Sequence, residues 1–132
     1  MRNRPALTSE DAHKMMAACK AEAQKNKWKV TIAIVDDGGN LLLAERLDGA
    51  GPLSAEVALG KARASAISRR PSKFLEDRLK DRSGFHAFPI GIQVQGALPL
   101  MHQGEAVGAI GVSGVQSHED EQVAQAGVTA LG

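Results

Sequence analysis

The run Val30-Thr-Ile-Ala-Ile-Val35, followed by Asp36-Asp-Gly-Gly-Asn40 and Leu41-Leu-Leu-Ala-Glu-Arg-Leu-Asp48, decides the fold. Its first part is short, β-branched and apolar on both faces, which marks a central strand rather than a helix. The acidic residues, paired glycines and asparagine supply the positive-φ positions of a tight turn. The second apolar run therefore returns as the other arm of a β-hairpin.

Upstream, Thr8 stands where an N-cap would, Asp11 sits at the capping-box distance, and Ala12, Met15, Met16, Cys19 and Ala23 recur at helical spacing. The pattern predicts an amphipathic helix from Thr8 to about Lys27. Downstream, Gly49-Ala-Gly-Pro52 breaks the hairpin pattern and Ser54 offers a cap. A second helix follows over Ser54–Arg70, with Ala55, Ala58, Leu59, Ala62 and Ala66 along one small-residue side. Gly60 within it weakens the helix by about 1 kcal/mol relative to Ala, which implies a close neighbour. Pro71 ends this helix, and Ser72–Lys80 reads as a further short one. Asp81–Pro89 reads as a loop. Ile90–Gln95, Ala97–His102 and Ala106–Val115 read as three strands, the last two joined by Gln103-Gly-Glu105. A final helix opens at Ser117, with Asp120 at the capping-box distance and an acidic first turn suited to the helix dipole. The expected order is α-β-β-α-(α)-β-β-β-α, an α+β domain on a five-stranded antiparallel sheet.

With 132 residues, the chain suits one domain over 1–132, burying about two thirds of its unfolded surface. Hydrophobic residues make up 43% and charged residues 23%, the balance of a soluble globular protein rather than a disordered one. A formal net charge of +1 gives no global field toward nucleic acid or anionic lipid. The absence of an apolar leader or of a long apolar window leads us to expect a cytoplasmic protein with no membrane partner. Cys19, the lone cysteine, excludes an internal disulfide and a thiolate-rich metal site.

Few residues invite a chemical reading on their own. Gly108-Ala-Ile-Gly-Val-Ser-Gly114 lacks both the dinucleotide fingerprint and the P-loop Lys-Ser/Thr, so its glycines read as places of close backbone approach or bulges. Asp36-Asp37 reads as turn material and Glu119-Asp120-Glu121 as helix N-terminal charge. No serine sits in a nucleophile elbow. Of the four histidines, His102 and His118 read as solvated, His86 lies between two phenylalanines in a loop, and His13 falls at the flank of the first helix's apolar stripe. By itself His13 reads as a surface residue, or as a ligand where two proteins meet.

Taken together, Leu7-Thr8, Val30–Gly39, Asp48-Gly-Ala-Gly51, Ser54-Ala-Glu-Val-Ala-Leu-Gly-Lys-Ala62, Leu98-Pro-Leu100, Gly104–Gly114 and Glu119-Asp-Glu-Gln-Val-Ala124 resemble the GlcG/HbpS family of haem-binding proteins. That family also includes the C-terminal domain of PduO-type cobalamin adenosyltransferases. The resemblance implies a profilin-like fold, homo-oligomers that are commonly octamers, and non-covalent haem as the cofactor. It makes His13, the one histidine of the first helix, the leading axial-ligand candidate. It also marks Glu56 and Lys61 as contributors either to a cofactor pocket or to an oligomer seam.

Haem needs an axial donor, an apolar slot and partners for its propionates. The donors available are the four histidines, Met15, Met16, Met101 and Cys19. Tyrosine is absent, and no C-x-x-C-H attachment motif is present. A domain with a radius of gyration of about 14 Å cannot enclose a porphyrin and keep its own core, which leads us to expect haem at a subunit interface. The expected function is haem sensing, storage or degradation. The alternative is an enzyme or accessory subunit for a small hydroxylated or corrinoid-related metabolite.

Overall fold

The computed structural model describes Met1–Gly132. Its helices are α1 (Ser9–Lys25), α2 (Leu53–Ser68), α3 (Ser72–Asp81) and α4 (Ser117–Leu131); its strands are β1 (Thr31–Asp36), β2 (Leu41–Arg46), β3 (Ala97–His102) and β4 (Glu105–Ser113). The strands form one antiparallel sheet in the order β2-β1-β4-β3. No helix is long and apolar enough to cross a membrane.

The two central strands explain the apolar run that opens the sequence. Ile32 and Ile34 of β1, with Ile110 and Val112 of β4, face Met15, Met16 and Cys19 of α1 and Val123 of α4. Ala33, Val35 and Ala109 face the other way, onto Ala58, Ala62 and Ala66 of α2. Large side chains fill one side; on the other no fully buried member of the layer is larger than valine, and the half-buried Leu59 packs against its edge. Gly111 completes the thin side: a Cβ there would lie 2.6 Å from the Ala62 nitrogen and collide with the Ala58 carbonyl. The close approach expected of the β4 glycines is therefore present.

The sheet has four strands, not the expected five, because Ile90–Gln95 is not a strand. Its backbone groups bond to helices instead of to a neighbouring strand. Ile92 N donates to the Gly60 carbonyl of α2 at 2.9 Å, and Gln95 N donates to Glu76 Oε1 of α3 at 2.8 Å. Gly91 and Gly96, at φ +112° and +139°, bend the chain at either end. Ile92 covers Gly60 so closely that a Cβ there would be 2.5 Å from Ile92 Cδ1, which accounts for a glycine in mid-helix. A short 3-10 turn, Ser83–Ala87, occupies part of the expected loop. It is pinned by the Arg78 guanidinium stacked 3.7 Å from the Phe85 ring centroid. β3 is thus an edge strand, where Pro99 is tolerated because it need not donate to an outer neighbour.

The helix ends follow local chemistry, with two departures from expectation. Thr8 caps α1 as expected: its Oγ1 accepts from Asp11 N at 3.1 Å and Asp11 Oδ2 accepts from Thr8 N at 2.9 Å. Ser54 is not a cap; it lies inside α2, where its hydroxyl donates to the Gly51 carbonyl at 2.6 Å and meets Thr31 Oγ1 at 2.8 Å. In α4 the box belongs to Gln116 and Glu119 rather than to Ser117 and Asp120.

Thr8→Ala should lower the unfolding free energy by about 1 kcal/mol at neutral pH, measured by urea denaturation. The Thr8 backbone N–H and hydroxyl hold the Asp11 carboxyl below its ordinary 3.8. A lowered carboxyl stabilises the fold above its unfolded value and loses that contribution as pH falls through its folded one. The stability difference between Asp11→Ala and the native protein should therefore be complete above pH 3.8 and fade below it.

Candidate functional site

His13 stands on the exposed face of α1, and its geometry fixes its chemistry. Its Nδ1 lies 2.8 Å from the Ser9 carbonyl oxygen, one turn back. A carbonyl can only accept, so Nδ1 must carry the proton and donate it. The neutral ring then has its lone pair on Nε2. A histidine tethered at one nitrogen and open at the other is the arrangement found at metal ligands, where the tether sets both tautomer and ring orientation.

The remaining donors separate by burial. Met15, Met16 and Cys19 lie in the core, and burial pushes the Cys19 thiol up to about 12, so no thiolate forms there. His86, His102, His118 and Met101 are exposed, Met101 and His102 side by side at the end of β3, His86 in the 3-10 turn after α3 and His118 at the start of α4. His102 borders a cleft of about 280 Å³ with Leu7, Asp11, Val107 and Leu131. No three of His, Cys, Asp or Glu gather into a metal-binding group.

Glu56 and Lys61 lie on one helix but point apart. Glu56 is exposed on the outer stripe of α2, where Leu59, Gly60, Arg63 and Ile67 line a cleft of about 460 Å³ closed by Pro89–Gly91. Lys61 turns inward and is 3% exposed. Its Nζ donates to Asp120 Oδ2 at 3.0 Å and to the Val112 carbonyl at 3.1 Å. Asp120 Oδ1 accepts from Val115 N at 3.1 Å. Burial pushes the Asp120 carboxyl up, against the pull of the Lys61 ammonium. An acidic residue in the first turn of a helix reads as dipole charge, whereas the structure makes Asp120 a buried partner joining α4 to α2.

Asp36 acts as turn material: its Oδ1 accepts from Gly38 N at 3.0 Å and Asn40 N at 2.9 Å. His13 on α1 and Glu56 on α2 occupy opposite sides of the sheet. One copy of the chain does not bring His13, Glu56 and Lys61 together.

Comparison with known proteins adds four likenesses to this geometry. A family model described as haem degrading protein HbpS-like matches residues 7–129. The Protein GlcG of Escherichia coli K12 is 38% identical over 114 residues, covering 86% of this chain and 85% of that one. Among solved structures, a double mutant of Streptomyces reticuli HbpS superposes with a TM-score of 0.94 at 35% identity, covering 100% of this chain and 91% of that one. A PduOC:heme complex superposes at 0.87 and 25% identity, covering 96% and 95%.

Proposed function

We propose, from the premise that the chain belongs to the HbpS-like family, that it is a cytoplasmic, oligomeric haem-binding protein in which His13 would hold the iron. The observation that carries this reading is the His13 ring, tied at Nδ1 to Ser9 and open at Nε2. Among the eight sequence donors, it alone combines exposure with a tether to the backbone of its own helix. Its relative PduOC has been crystallised with haem.

Haem, when bound, supplies iron and its ligand and redox chemistry. The work of this chain is to present a neutral imidazole, keep it from rotating, and cover the porphyrin. The core is filled by its own side chains and the clefts are open, so the cover must come from a second copy. Exposed Leu41, Leu42, Leu53 and Ile67 are apolar surface available for such a seam, consistent with the octamer implied by the resemblance. Glu56, on the far side of the sheet, would meet the site of another protomer or line the seam. Lys61 contributes by holding α2 in place rather than by touching the ligand. The function served is haem sensing, storage or degradation.

Hemin titration of the native protein should give a saturable Soret shift, with size-exclusion light scattering showing an assembly of several copies. His13→Ala should weaken hemin binding at least tenfold, leave the assembly mass unchanged, and be rescued in part by imidazole. Unaltered spectra in His13→Ala would remove His13 from the site, and a monomer indifferent to hemin would overturn the reading.

A further inference from the structure

A second site lies where the C-terminal end of α1 meets the end of β2. Lys20, Gln24 and the Lys27-Trp28-Lys29 connection face Glu45, Arg46, Leu47 and Asp48 across a cleft of about 410 Å³. That volume is in the range of small-molecule sites. The lining is mostly polar, so the cleft suits a charged ligand better than an apolar one.

The cleft gathers four cations against two carboxylates in a chain whose whole net charge is +1. Lys20 and Glu45 neutralise each other at 2.9 Å. Arg46 donates Nε to the Ala50 carbonyl at 2.9 Å, which fixes the guanidinium while leaving its terminal nitrogens unused by that bond. Lys27 and Lys29 form no ion pair at all. Lys27, Lys29 and Arg46 therefore face Asp48 with positive charge in excess.

Two features hold these cations in place. Lys27 follows α1 in the left-handed region, at φ +60°, a position that ordinarily takes glycine. Its neighbour donates Trp28 N to the Ala23 carbonyl at 2.9 Å, and the indole packs against the main core as a fixed wall. The Lys29 stem lies against Gly49, where a Cβ would come within 3.3 Å of it.

We propose that this cleft binds a small oxyanion, of the phosphate or carboxylate class, on Lys27, Lys29 and Arg46 beside Trp28. This inference does not depend on the haem reading. The carboxylates of a porphyrin are nonetheless one source of the same chemistry, since Lys20 lies two turns from His13 on the same face of α1, about 10 Å along the axis.

Trp28 is the only tryptophan, so the protein carries its own reporter. Native protein at low ionic strength is titrated with inorganic phosphate and with malonate, against chloride at matched ionic strength. Trp28 emission and calorimetric heat are read together. A saturable signal absent with chloride, weakened at least tenfold in Lys27→Gln/Lys29→Gln with unchanged circular dichroism, is the expected result. Hemin titration of the same double variant separates the sources: weakened hemin uptake assigns the cleft to porphyrin carboxylates, and unchanged uptake assigns it to a free oxyanion. If phosphate, malonate and hemin all behave alike in native and variant protein, the proposal is overturned.

Discussion

Asp120→Ala should lower the unfolding free energy by about 3–5 kcal/mol, as much as the truncation of a large core side chain. The Lys61 ammonium is 3% exposed, and its partners are the Asp120 carboxylate and one backbone carbonyl. Truncating Asp120 strands a buried cation and also leaves Val115 N without its acceptor. The melting temperature should fall on the order of 10–20 °C, measured at fixed protein concentration because assembly also shifts it. The double variant Lys61→Met/Asp120→Leu should regain most of that loss, since replacing both partners removes the desolvation cost with the attraction. A single variant within about 1 kcal/mol of native would show that the pair is not desolvated in solution.

Gly111→Val should destabilise by about 3 kcal/mol or more, through a steric rather than an electrostatic cause. A Cβ at Gly111 lies 2.6 Å from the Ala62 nitrogen and against the Ala58 carbonyl, so the obstruction is helix backbone that cannot rotate aside. α2 must lift from the sheet, and the layer formed by Ala33, Ala58, Ala62, Ala66 and Ala109 opens with it. Gly84→Ala is the control: a Cβ there meets nothing within 4 Å, and the change should stay within about 0.5 kcal/mol. Urea denaturation of the three proteins checks the pair of expectations. Equal midpoints for Gly111→Val and Gly84→Ala would refute the close packing of α2 on β4.

What could be read from the sequence was local. The β1-β2 hairpin follows from an apolar run and a glycine turn, and the Thr8 box from residues three apart. The small face of α2 follows from alanines at helical spacing. Ile90–Gln95 was misread because its composition is that of a strand while its hydrogen bonds go to Gly60 and Glu76, choices set by tertiary packing. Asp120 was misread for a similar reason. Its partner lies 59 residues away, and an acidic residue in a first helical turn looks the same whether it faces solvent or a buried lysine. The position of His13 on the first helix was legible, but its tautomer was not, since that depends on the contact with the Ser9 carbonyl. The Trp28 cleft left no linear motif because its cations come from two stretches of chain, Lys20–Lys29 and Glu45–Asp48.

The unequal thickness of the two layers bears on how such a chain can change over generations. On the α1 and α4 side, a methionine or isoleucine that shrinks can be matched by a neighbour that grows, so compensating exchanges keep the volume constant. On the α2 side most positions are already alanine or glycine, and enlargement at one has almost no smaller residue left to offset it. Drift should therefore run freely through one half of the interior and stall in the other, leaving the alanine and glycine pattern as the most durable signature of descent in the molecule.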